Sequence, residues 1–569
     1  MDTHTSVIDE SPPPLDLSHH YSRTSKARAE SRIKEFYRYF AIPGISNLAG
    51  VLPERFKLTP NRPNGSLGAI PRNTVSTSLS EEDAHLSVPK FSGTSDRLHE
   101  IDLKTALQYG TAQGYPPLYT FLRQFTRENM HPNVPYAEGP EIVLTCGSTD
   151  GFNKSVETLS NEWSAETQPI SEREGILVEE FCYMNAIQCV QPRGLQIVPV
   201  RMDDEGMKAT GHGGLRDVLS NWDEAMGKRP HLMYTVSTGQ NPTGATLSMP
   251  RRKELYRLCQ QYDVIIIEDD PYWHLQFPSV IGHDIARRYS SEPREGATKS
   301  SGFEFLDSLV PSYLSIDVDG RVVRLDTFSK TISPGCRLGW ITAQPALIER
   351  ILRITEVATQ QPSGFVQAIV AEQLIGPHGS NDNGRGGGRD GKGWAVEGWV
   401  RWLAGLRGAY ERRMRRMCGI LDDGKYTLVS KGLCNKGIKT VEPWNIVDKV
   451  QMYDFAWPRG GMFVWIEMQL STHPLHGRTE PGKLSHALWL HLTTKPYLVL
   501  VAPGTIFSPM PEIAEERGFV FYRLCFAAVE DEEVEAASHR FVEGVNSFWA
   551  KEDLGEIEEL LGVDDRGRV

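Results

Sequence analysis

Two apolar rhythms run through the chain. Short continuous runs, EIVLTC at 141–146, GILVEE at 175–180, HLMYTV at 231–236, DVIIIEDD at 263–270 and RVVRLDTF at 321–328, read as strands covered on both faces. Helix-spaced stretches separate them, one over 250–262 with Pro250 in its first turn. Strand and helix in alternation predict α/β architecture around a mostly parallel central sheet. Farther on, RWLAGLRGAYERRMRRM (401–417) predicts a long helix and GGMFVWIEM (460–468) a strand, and Ala537, Phe541, Val545 and Phe548 line one face of a last helix. That second set predicts a smaller α/β C-terminal domain.

The polar stretches set the boundaries. Residues 1–24 are expected as a flexible tail, and 25–84 as a segment packing on the small domain, opened by a helix over 25–40 that aligns Ile33, Phe36, Tyr37 and Phe40. The large domain is placed at 85–377 and the small one at 399–569. Between them HGSNDNGRGGGRDGKGWAVEG (378–398) has too little apolar surface to offset the entropy of ordering, so a mobile insertion is expected. Gly386, Gly388 and Gly391 there match GxGxxG, but no strand precedes them and no helix follows, so they carry no nucleotide site. Residues 161–174 and 288–304 read as further loop insertions.

Charge and composition narrow the partners. With 61 Lys and Arg against 73 Asp and Glu, the net charge of −12 offers no broad positive field for nucleic acid or anionic lipid. The start MDTHTSVIDESPPPLDLSHH has neither the basic residues nor the apolar run of a secretory signal, and no stretch reaches the roughly 20 apolar residues that span a bilayer. A cytoplasmic protein without membrane contact is expected. The 8 cysteines form no CxxC pair and the 16 histidines no ligand-spaced motif, so neither a disulfide nor a metal is expected.

Three strand ends carry candidate chemistry. The run 321–328 leads into Ser329-Lys330, and a lysine shielded there from water would favour the neutral, nucleophilic amine. Thr327, Ser329 and Arg337 bring two hydroxyls and a guanidinium to the same stretch, a set suited to a phosphate dianion. EIVLTC ends in Gly147-Ser148-Thr149, where a helix start and small hydroxyls would add an anion cradle. HLMYTV leads to Asn241-Pro242-Thr243-Gly244, and the next strand ends in Asp269-Asp270-Pro271-Tyr272. One βαβ unit thus delivers an Asn, an Asp and a Tyr to the edge where open sheets bind ligands, and an Asp beside a pyridine nitrogen would keep it protonated.

NPTG, Asp-x-x-Tyr and S-K-x6-R occur in this order as they do in fold-type I aminotransferases, which bind pyridoxal 5'-phosphate (PLP). The chain resembles that family from LDLSHHYSR near residue 15 to FYRLCFA at 521–527, and within it the fungal aromatic and 2-aminoadipate/kynurenine group. The resemblance implies a large domain with a mostly parallel sheet, a smaller C-terminal domain and transfer of an amino group from an aromatic amino acid to 2-oxoglutarate. It implies that Lys330 holds the cofactor as a Schiff base and moves the proton, that Asp269 meets the ring nitrogen, and that Asn241 and Tyr272 meet its phenolic oxygen. Ser148, Thr149, Thr327, Ser329 and Arg337 match the phosphate positions, and Tyr183 the residue that stacks on the ring. Tyr109 resembles the tyrosine that reaches the phosphate of the other subunit, which implies a homodimer with shared sites. Arg523 matches the residue that grips the substrate α-carboxylate. Val51, in Ala49-Gly50-Val51-Leu52-Pro53, departs from the family's A-G-G-L-P near the substrate mouth. A β-lyase or synthase of the same fold remains open, as does an effector-sensing regulator, which would need a DNA-binding domain where an acidic, proline-rich stretch and a single helix are expected before the core.

Overall fold

The computed structural model describes residues 11–28, 88–92, 100–280, 299–375, 395–431, 446–527, 529 and 531–566. Among these residues fifteen strands and their flanking helices fall into two layered units. In chain order the strands of the large unit are β1 Glu141–Thr145, β2 Gly175–Glu179, β3 Gln196–Val200, β4 Met202–Asp203, β5 Gly206–Met207, β6 Leu232–Thr235, β7 Ile265–Asp269, β8 Val322–Thr327 and β9 Gly339–Ala343. Seven of them form one sheet in the order β1-β9-β8-β7-β6-β2-β3, and β4 pairs with β5 in a small ribbon. Within the large sheet only β9 runs against its neighbours. The connection from β8 to β9 is too short for a crossover helix, so it folds back as a hairpin and carries Lys330 and Arg337 in its turn.

The predicted strands all form, and their composition explains their burial. In β7, Ile265 and Ile267 face a layer that includes Phe152 and Val156 of the helix Ser148–Leu159, whereas Ile266 faces Leu255 and Leu258 of the helix Met249–Gln261. Side chains alternate across the sheet, so both faces need apolar cover and no polar alternation survives in the sequence. The same alternation separates the acids at the end of the strand. Asp269 falls on the face of Ile265 and Ile267, and Glu268 and Asp270 fall on the other.

On that other face lies a fully buried ionic lattice. Arg324 Nη1 is 3.2 Å from Glu268 Oε2 and 3.3 Å from Asp270 Oδ2, and its Nη2 is 2.9 Å from Asp326 Oδ1. Arg252 Nη1 pairs with Glu268 Oε1 at 3.2 Å, and Ser237 and Ser312 both donate to the Glu268 carboxylate. Lattices of this kind are costly to desolvate, and removing one member leaves an unpaired buried charge worth about 3–5 kcal/mol.

The small unit contains β10 Tyr426–Lys431 and β11 Ile446–Gln451 as an antiparallel pair. Its main sheet adds β12 Tyr453–Asp454, β13 Phe463–Met468, β14 Ala502–Pro503 and β15 Phe521–Cys525, in the order β12-β13-β15-β14. The predicted long helix spans Ala395–Asp423, so it begins inside the stretch expected as the 378–398 insertion; residues 376–394 lie outside the described residues. Phe541, Val545 and Phe548 of the helix Asp531–Trp549 are buried in the small-domain core, as their spacing predicts.

One expectation at the N-terminus needs correction. Residues 11–24 are no free tail: Leu17 and Tyr21 are buried, Ser22 N donates to Thr158 O at 2.8 Å, and Leu15 N donates to Asp319 O at 2.9 Å. His19 Nε2 lies 2.7 Å and His20 Nε2 3.1 Å from Asp263 Oδ2, whose other oxygen is 3.5 Å from Arg321 Nη1. This imidazole–carboxylate clamp joins groups far apart in sequence. The described segment therefore docks on the large domain, because its two apolar side chains and its backbone groups find partners there. Of the helix expected over 25–40 only residues 25–28 are described, where the helix Arg23–Ala27 ends, and residues 29–40 lie outside the described residues. Residues 29–87, including Val51 and Leu52, and residues 281–298 lie outside the described residues. No helix among the described residues is long and apolar enough to cross a membrane.

Candidate active site

The carboxyl ends of β1, β2, β6, β7 and β8 and the β15 strand of the small domain deliver the candidate residues. Lys330 follows β8, half-buried, with its Nζ 6.0 Å from the centre of the Tyr272 ring. Burial lowers the affinity of this amine for its proton, and the positive charges of Arg337 and Arg523 add to the effect, against Cys525 and Asp269. Such an amine is nearer the neutral, nucleophilic form than a lysine in water.

Asp269 ends β7 with 7% of its surface exposed. Burial pushes its carboxyl up to about 6, opposed by a hydrogen bond from Tyr234. Tyr234 Oη donates to Asp269 Oδ2 at 2.9 Å, whereas the buried Oδ1 has no partner. A buried carboxylate oxygen without a donor is costly, and a protonated pyridine nitrogen would satisfy it. The PLP ring fits this site on that ground.

The phosphate set also assembles. Thr327 Oγ1 donates to Ser329 Oγ at 3.0 Å, and Arg337 Nη1 donates to the same Ser329 Oγ at 3.0 Å. Arg337 takes a left-handed backbone, φ 44°, which turns its guanidinium back toward β1, where Nη2 reaches Cys146 O at 3.3 Å. Opposite stands the start of the helix Ser148–Leu159, where Gly147 provides no side-chain cap and Ser148 and Thr149 open the first turn. Exposed amide donors, hydroxyls and a guanidinium converge there on a seat for a dianion.

Gly147 keeps that seat open. Its φ is 95°, and a Cβ added to it would lie 2.4 Å from Arg337 Nη2. Gly147→Ala should therefore displace the guanidinium and weaken PLP binding at least about tenfold, roughly 1.4 kcal/mol. Titration of the apoprotein with PLP measures this, and wild-type affinity in the variant would rule out the Gly147–Arg337 seat.

Asn241 and Arg523 meet across the domain boundary. Arg523 Nη1 donates to Asn241 Oδ1 at 2.7 Å, and the guanidinium lies 4.4 Å and 4.6 Å from the centres of the Phe463 and Phe507 rings. Its buried Nε has no partner. A carboxylate would supply the missing acceptor. Tyr272 is 4% exposed and packs edge-on against Phe463 with ring centres 5.8 Å apart. Tyr183 caps the helix Met184–Val190, half-buried, and its hydroxyl accepts from Asn185 Nδ2 at 2.7 Å. Tyr109 stands apart, 68% exposed.

Several supporting residues have no motif in the sequence. Gln240 Nε2 donates to Glu179 Oε2 at 3.1 Å and to Phe181 O at 2.7 Å, and its Oε1 accepts from Thr243 N at 2.9 Å. These bonds hold the turn that presents Asn241. Lys154, buried on the helix Ser148–Leu159 itself, donates to Asp150 Oδ2 at 2.8 Å one turn earlier. The hydrophobic period identifies such positions as core, and only the fold shows which polar atoms face one another.

Comparison with known proteins places this geometry. The model of aminotransferase class I and II matches residues 90–395. An aromatic amino acid aminotransferase of Schizosaccharomyces pombe is 33% identical over 532 residues, 93% of this chain and 97% of the relative. An L-tyrosine:2-oxoglutarate aminotransferase of Tapinella panuoides is 32% identical over 475 residues, 81% of this chain and 76% of the relative. The crystal structure of aminotransferase Aro8 from Candida albicans superposes with a TM-score of 0.72 at 30% identity, covering 95% of this chain and 100% of that one. With a family model over more than half its length and such relatives over nearly all of it, the chain belongs to the class I and II aminotransferases, PLP-dependent enzymes of fold type I.

Proposed function

We propose that this aminotransferase moves the amino group of an aromatic amino acid to 2-oxoglutarate at the site around Lys330. The observation that carries the placement is the buried Asp269 with one unpartnered oxygen, on the same edge as a shielded lysine and the Arg337 seat. PLP, when bound, supplies the electron sink that lets a Cα–H bond break. The chain supplies the rest. Ser148, Thr149, Thr327, Ser329 and Arg337 hold the phosphate, Asn241 and Tyr272 face the phenolic oxygen, and Tyr183 covers the ring. Arg523, whose buried Nε lacks an acceptor, binds the substrate α-carboxylate. The Lys330 amine would be the group that accepts and carries the proton lost from the substrate Cα. A second oxo acid enters by the reverse sequence.

Aromatic donors are supported by the relatives named above and by the rings beside Arg523, where Phe463 and Phe507 pack on the guanidinium and Trp465 stacks on Phe521 with centres 5.0 Å apart. Such walls favour an apolar substrate side chain. A homodimer is part of this reading, since the exposed Tyr109 suits a side chain that reaches a neighbouring subunit's phosphate. Steady-state kcat/KM for phenylalanine, tyrosine, kynurenine, 2-aminoadipate, aspartate and alanine tests the donor. The aromatic amino acids should lead, and preference for aspartate or alanine by more than about tenfold, roughly 1.4 kcal/mol, would reject the aromatic assignment.

A further inference from the structure

Tyr234 has no place among the residues read from the sequence, yet it touches the acid at the centre of the site. It lies on β6, paired in register with Ile267 of β7, so its side chain falls on the Asp269 face one diagonal step away. Its hydroxyl donates to Asp269 Oδ2 at 2.9 Å, and its ring is 1% exposed and packs edge-on against Phe152 with centres 4.8 Å apart. Asp269 Oδ1 is buried and has no partner. One carboxylate oxygen is thus taken and the other left open.

We propose that Tyr234 is a positioning residue for transamination: its hydroxyl locks Asp269 so that Oδ1 alone is free to accept the N–H of the cofactor ring. The proposal rests on the reading of Asp269 as the ring partner. Three features make the phenol a fixed donor. The β6 backbone, paired with β7, sets the direction of the ring, burial together with the nearby Asp269 and Glu179 charges keeps the hydroxyl protonated, and the bond runs between neighbouring strands. Burial alone raises the basicity of Asp269, and the Tyr234 bond opposes it. A carboxylate stabilised this way leaves the shared proton on the ring nitrogen, which strengthens the electron sink. Without the hydroxyl, Asp269 holds the proton more tightly and its carboxylate can rotate.

The test uses the holoenzyme and reads the pH midpoint of the bound cofactor's visible absorption, with kcat and KM for the donor measured separately. Tyr234→Phe should raise the midpoint by about one pH unit, because a ring nitrogen that keeps less of its proton withdraws less charge from the titrating group. It should lower kcat about tenfold and leave KM within about twofold. Phe152→Leu loosens the same packing without touching the hydroxyl and should leave the midpoint in place. Site-specific 3-fluorotyrosine at 234, a stronger donor of nearly the same shape, should move the midpoint down, and it provides the reading should the phenylalanine variant fold poorly. An unmoved midpoint in the phenylalanine and fluorotyrosine proteins, or an equal shift in Phe152→Leu, overturns the proposal. Asp269→Ala separates the two levels. If it too leaves the midpoint unmoved, the reading of Asp269 itself has failed; if it moves the midpoint and the Tyr234 changes do not, only the role of Tyr234 is lost.

Discussion

Lys330→Ala is expected to lower transamination by about 10⁴-fold or more while leaving the fold intact. On the proposed reading the amine is both anchor for the cofactor and carrier of the proton, and no other lysine shares its place at the β8–β9 turn. The fold should survive because Lys330 is only half-buried and contributes no bond to the ionic lattice beneath the sheet. Single-turnover absorbance with a donor amino acid, alongside thermal denaturation, separates lost chemistry from lost structure. Turnover near the wild-type rate in a folded variant would end the assignment of Lys330.

Arg523→Lys should cut kcat/KM by about 10²-fold, close to 2.7 kcal/mol, and by a similar factor for every donor. The guanidinium offers a planar pair of donors to a carboxylate and stacks on two rings, and an ammonium group reproduces neither. All donors share the α-carboxylate, so the ratio between phenylalanine and 2-aminoadipate should stay constant. A loss confined to one donor would place Arg523 against the substrate side chain instead.

What the sequence revealed and what it hid divide along physical lines. Strands such as Ile265–Asp269 were legible because burial on both faces demands an unbroken apolar run, and the chemistry at their ends was legible because NPTG, Asp-x-x-Tyr and S-K-x6-R are local patterns. The hairpin that turns β9 against β8 follows from a short connection, yet nothing in the residues of β9 declares its direction. Contacts between distant segments were invisible. Tyr234 reads as an ordinary strand residue until β6 is paired with β7, and Leu17 and Tyr21 read as part of a loose tail until the surface that receives them is formed. The Arg324 lattice was hidden for a similar reason, since charged residues in a strand look like solvated ends until both faces of the sheet are covered.

The lattice also polices alignment. In Glu268-Asp269-Asp270 three acids follow one another, and only pleat parity decides which of them meets the arginines and which meets the reaction. A slip of β7 by a single residue would point Asp269 at Arg324 and turn Glu268 or Asp270 toward Tyr234, so composition would be unchanged and the enzyme dead. Such a slip would also turn Glu268 and Asp270 away from Arg252 and Arg324 toward the apolar layer on the opposite face. Misaligned chains are thus penalised by misplaced charge as well as by misplaced isoleucine, and a one-residue insertion or deletion in β7 should be far less tolerated than a substitution at its apolar positions.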